Sequence, residues 1–149
     1  MGNPALVSVP VGAVQLLEIK TLPPEAPGYK GLIMLRRVGG LLSPPDWFSL
    51  GVEKVQGLAG ALDSAGKEPT FQQDLSWYGD RNILRVRRIP AQPNVREMVL
   101  LEIRREKADG TYEFVDRKGA RLEIPLPYLG KVRSVILNAA RNMGGMTAP

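Results

Sequence analysis

Cysteine and histidine are both missing from the 149 residues. Without them there are no disulfides, no thiol nucleophile, no zinc-finger spacing and no imidazole for acid–base or metal chemistry. The chain therefore reads as a binder and not an enzyme, with no metal, no cofactor and no small-molecule ligand expected. Long hydrophobic runs are missing too. The apolar stretch from Ala5 to Leu17 is interrupted by Pro10, preceded by no basic residue and closed by Glu18, too short for a bilayer span and poor as a signal peptide. Leu6 stands where a myristoylation start wants a hydroxyl. These features predict no membrane association and a cytoplasmic protein.

What is present is an excess of positive charge. Twenty Lys and Arg face fifteen Asp and Glu, a net of +5. Residues 1–79 hold six basic and seven acidic side chains, so residues 80–149 carry fourteen basic and eight acidic. Such asymmetry suits a polyanionic partner through phosphate neutralisation and counterion release. It also suits an ordinary soluble surface.

A chain of this length buries a core without metal or disulfide support, and we expect one domain spanning 1–149, structured over about 13–143 with a loose tail at 144–149. Strands are predicted at Ala13 to Lys20 and Gly31 to Val38, with an extended piece at Leu41-Leu42. Val52, Val55, Ala59 and Leu62 then recur at helical spacing, with Ser49 placed to cap the helix and Asp63 to Lys67 to end it. Thr70 to Tyr78, Arg81 to Ile89, Arg96 to Lys107 and Tyr112 to Asp116 read as strands, the last two joined by Asp109-Gly110, and Leu122 to Leu126 as one more. Leu129, Val132, Ile136 and Met143 define a closing amphipathic helix stopped by Gly144-Gly145. Strands then helix, twice over, is the order of a doubled α+β unit.

Several motifs fail. Gly60 to Lys67 superficially resembles a phosphate loop, but Ala61 stands where Gly is needed and Glu68 where a hydroxyl is needed. Glu102, Glu106, Glu113 and Glu123 lie among Arg and Lys on predicted strands, where solvated ion pairs explain them better than a glycosidase pair does.

One constellation remains. Residues 81–88 read Arg-Asn-Ile-Leu-Arg-Val-Arg-Arg, with no acid among them. On a strand, Arg85 and Arg87 share one face and Leu84 and Val86 the other. A guanidinium at every second residue suits phosphates and stacking on bases. Arg81, Arg88, Arg104, Arg105 and Lys107 add charge nearby, and Trp47, Trp77, Tyr78 and Tyr112 lie beside turns where a ring can be exposed to a base. Phe48, Phe71 and Phe114 are expected in the core.

Tyr29-Lys30-Gly31-Leu32, the pair Asp46-Trp47, the segment Phe48 to Leu58, and Leu122 to Met143 are similar to corresponding stretches of the Whirly family of single-stranded DNA-binding proteins, relatives of the positive-cofactor-four fold. The resemblance covers about residues 13–143. It departs where Val52 replaces the family's proline and where a stretch after Asp46-Trp47 is missing. The resemblance implies two antiparallel four-stranded-sheet-plus-helix units (ββββα-ββββα) and a homo-oligomer, dimer or tetramer. It implies sequence-tolerant single-stranded DNA binding along the sheets in replication, recombination, repair or transcription, near the nucleoid, with Lys30 and Trp47 the positions that carry over. RNA as the ligand, or an adaptor role toward a polymerase, are the alternatives.

Overall fold

The computed structural model describes residues 5–11, 15–22, 32–39, 47–76, 81–116 and 120–142. Four strands, β1 (Ala5–Pro10), β2 (Gln15–Leu22), β3 (Leu32–Gly39) and β4 (Phe48–Gly51), form an antiparallel sheet in sequence order. A 3-10 turn at Val52–Lys54 leads into α1 (Val55–Lys67). Then come β5 (Gln72–Ser76), β6 (Asn82–Ile89), β7 (Met98–Glu106), β8 (Tyr112–Phe114) and β9 (Arg121–Pro125). After a 3-10 turn at Leu126–Tyr128, α2 (Leu129–Asn142) ends the described chain. In the second, antiparallel sheet β8 pairs with Arg104–Glu106 of β7 and β9 pairs with Met98–Glu102, so the two occupy consecutive stretches of one edge.

The protein is thus α+β, with antiparallel sheets of four and five strands and two helices. Alternation builds the inner faces. Val9, Leu17, Ile19, Ile33, Leu35, Phe48 and Leu50 line one sheet, and Leu84, Val86, Val99, Leu101, Ile103, Leu122 and Ile124 the other, all buried. They join the apolar stripes of both helices, among them Leu58, Leu62, Val132 and Ile136, in a single buried cluster. The helices are exchanged: α1 packs across β5, β6 and β7, while α2 lies against α1 and β3. Each helix thus packs on strands of the other unit, on the inner faces of the sheets.

Four expectations change. The apolar N-terminal stretch begins with strand β1, where Pro10 is tolerated because β1 is an edge. Ser49 does not cap a helix; it lies in β4, paired with Met34, and neither the 3-10 turn nor α1 has a side-chain cap. The segment Asp63 to Lys67 continues α1 instead of ending it, because Ala65 is drawn into the core and Lys67 pairs with Asp63 one turn back. Of the remaining strands, β2 and β3 lie one or two residues further along the chain than read and β9 one residue earlier, β5 begins two residues later, and β6, β7 and β8 are shorter than read by one to three residues. The extended piece at Leu41-Leu42 lies outside the described residues. Asp109-Gly110 does make the β7–β8 turn, with Gly110 at φ +85° and Asp109 accepting from the Thr111 amide and hydroxyl.

Candidate nucleic-acid interface

The outer face of the second sheet carries Asp74 of β5, Arg85 and Arg87 of β6, Glu102, Arg104 and Glu106 of β7, Tyr112 of β8, and Arg121 and Glu123 of β9. The arginine alternation of β6 is therefore real, yet acids from neighbouring strands lie among the guanidiniums. Arg85 faces Asp74 across one ladder and Glu102 across the other. Its Nε and Nη2 donate to the two Asp74 oxygens at 2.8 and 3.1 Å, and this pairing raises its pKa. Glu102, the one charged residue buried among the described residues, lies 3.3 Å from Arg87 Nε and accepts from Arg104 Nη2 at 3.3 and 3.4 Å. Glu123 takes Arg37 at 3.4 Å and Arg121 at 3.5 Å. Leu100, between Arg87 and Glu123 in register, is fully buried, so this part of the face is covered.

Two readings need correction. Arg88 does not belong to the stripe. It sits on the helix-facing side opposite Val99, nine-tenths buried, donating to the Ala65 carbonyl at 3.0 Å and to Glu97; those partners tie the end of α1 to β6 and remove it from any ligand. And Glu102 is not solvated: burial among arginines makes it the counter-charge of the face.

Arg81, Arg105 and Lys107 are exposed at the end of the sheet where the β6 turn meets the β7–β8 hairpin, and none forms an ion pair among the described residues, although Arg105 stands opposite Glu113 in register. The Arg81 carbonyl accepts the Glu106 amide there at 2.6 Å, which holds the start of β6 against the end of β7. Tyr112, opposite Glu106, is 36% exposed. Lys30, Trp77 and Tyr78 lie outside the described residues.

The first sheet supplies a second open face. Leu16, Glu18, Lys20, Met34, Arg36, Val38 and Ser49 occupy it in register, and none of them is buried. Trp47, just before β4, lies across it: the Arg36 guanidinium carbon is 4.3 Å from the ring centroid and Lys20 Nζ 5.6 Å. Arg36 is held there by Glu18, to which its Nε donates at 2.8 Å. Lys20 and Arg36 are site residues that sequence reasoning missed. The signal was the alternation of polar residues in β2 and β3, but only the register brings those residues to Trp47.

No three His, Cys, Asp or Glu among the described residues gather as metal ligands, and no described helix is long and apolar enough to cross a membrane. A cleft of about 270 Å³ between the end of α1 and the start of α2 is lined by Leu62, Leu126 and Leu129, with Asp63, Lys67 and Arg133 at its polar edge. There Lys67 pairs with Asp63 and Arg133 donates to the Ala59 carbonyl at 3.0 Å, so the polar groups are engaged with the protein itself. No protein-family model and no curated protein matches the chain.

Proposed function

We propose that this protein binds single-stranded nucleic acid, DNA in the first instance, with little sequence preference and without catalysis, working as a homo-oligomer. The observation that carries the reading is the face of the first sheet, where a half-buried indole lies beside two cations on a surface with one acid among the described residues. An indole or a guanidinium plane accepts any base by stacking, and a neighbouring lysine neutralises the phosphate that follows. The cations Arg81, Arg105 and Lys107 provide further phosphate contacts at the end of the second sheet. The likeness to the Whirly family points to the same partner and to the same use of sheet faces.

The pairing of the central arginines sets the expected magnitude. Lys20, Arg81, Arg105 and Lys107, which form no ion pair among the described residues, together contribute about −3 to the slope of log affinity against log salt, since each phosphate on a single strand contributes about −0.7. Stacking then carries a large share. Titration of a labelled oligothymidylate by fluorescence anisotropy at two salt concentrations tests this. Saturable, salt-sensitive binding that duplex DNA competes for poorly is expected. Indifference to single strands refutes the reading, and competition by RNA of the same length decides between DNA and RNA, because only RNA offers a 2′-hydroxyl.

A further inference from the structure

Resting on that reading, we propose that Arg87 is the arginine of β6 that takes a phosphate of the bound strand, while Arg85 and Arg88 do not. The three side chains stand within four residues, yet their geometry separates them. Arg88 points toward α1 and uses its nitrogens on Ala65 and Glu97. Arg85 turns Nε and Nη2 together onto Asp74, the bidentate arrangement that a phosphate would need. Arg87 differs. Its approach to Glu102 is through the inner nitrogen, Nε, at 3.3 Å, and that nitrogen is shielded from solvent. Its terminal nitrogens donate no hydrogen bond among the described residues, and its side chain is 38% exposed, against 20% for Arg85 and 9% for Arg88.

The surroundings favour an anion at this point. Glu102 sits below the guanidiniums at 6% exposure, with Arg87 and Arg104 both on it and Arg121 opposite it across β7–β9. One carboxylate thus serves more than one guanidinium, and although the face as a whole is nearly neutral, the exposed end of Arg87 is where a guanidinium reaches solvent without a carboxylate bonded to its terminal nitrogens. A phosphodiester oxygen fits that position; a carboxylate side chain of this protein already occupies the equivalent position on Arg85.

The test is the salt dependence of oligothymidylate binding by the full chain and by three variants, each checked for native circular dichroism. Arg87→Ala should flatten the slope by about 0.7, one phosphate contact. Arg87→Lys should keep the slope and weaken binding several-fold, since a point charge replaces a fork. Asp74→Asn, at an exposed position, should steepen the slope by about 0.7 by freeing Arg85. A folded Arg87→Ala protein with the parent slope overturns the assignment even when binding persists. Absence of binding by the unaltered chain instead overturns the reading on which the assignment rests.

Discussion

Replacing Trp47 with leucine separates stacking from charge. Trp47 is half-buried on an open sheet face and its contacts to Arg36 and Lys20 are cation–π contacts, worth about 0.5–1 kcal/mol each at exposed positions. The fold should therefore survive, with stability reduced by no more than about 1–2 kcal/mol. Base stacking on an aromatic ring contributes about 1–3 kcal/mol, so the dissociation constant should rise between about 5-fold and 150-fold at fixed salt. Because an indole carries no net charge, the slope of log affinity against log salt should stay where it was while the intercept falls. Anisotropy titrations of the parent and Trp47→Leu proteins at four salt concentrations read both quantities. Affinity within about twofold of the parent, or a loss accompanied by a flatter slope, would refute the stacking role: the first means the ring meets no base, and the second that Lys20 and Arg36 lost their places with it.

Gly57 and Gly60 lie inside α1 with open space where a Cβ would go, so Gly57→Ala and Gly60→Ala should each stabilise the protein by about 0.5–1 kcal/mol, read as a higher urea midpoint. Glu102→Gln leaves Arg87 and Arg104 without their counter-charge; a fully buried pair would lose about 3–5 kcal/mol, and the partial exposure of both arginines reduces the expected cost to about 1–3 kcal/mol in equilibrium unfolding. Hydrogen bonds from the Thr111 hydroxyl and amide hold the Asp109 carboxyl below its ordinary pKa. The lowered value means that the β7–β8 turn is fully supported above about pH 4. Support is lost as pH falls through the folded pKa, so exchange of the Thr111 amide, corrected for intrinsic rate, should accelerate only there.

Strong local periodicity made part of the fold legible. The alternation of β6 and β7, the Asp109-Gly110 turn and the stripe of α2 each lie within a short window and satisfy one rule. β1 escaped because Pro10 reads as a breaker, although an edge strand tolerates it, and β4 because four residues are too few for alternation to show. The site was less legible for a different reason. No acid interrupts residues 81–88, yet Asp74 and Glu102 arrive from the flanking strands, eleven and seventeen residues from Arg85. Register, and not local composition, decides which charges meet across a sheet. The same applies to Lys20, Arg36 and Trp47, which come together only when three separate segments are paired.

The exchange of helices explains why the open surfaces lie where they do. Had each helix packed beside its own strands, the two units could have been independent, each with a single small core. Instead α1 covers the second sheet and α2 reaches the first, so neither inner face is satisfied without the other unit and all apolar stripes converge on one cluster. The helices then pack on the inner faces; of the outer faces, that of the second sheet is partly covered, with Leu100 and Glu102 buried on it, whereas the side chains named on that of the first are not buried. The outer face of the second sheet is also nearly neutral, since Asp74, Glu102 and Glu123 answer most of its arginines. Among the described residues the first carries Glu18 against Lys20 and Arg36. The positive excess of residues 80–149 therefore does not mark the more attractive platform. Much of it sits at turns and on α2, where Lys131 and Arg141 are exposed, and the better-placed stacking surface belongs to the half of the chain whose charges nearly cancel.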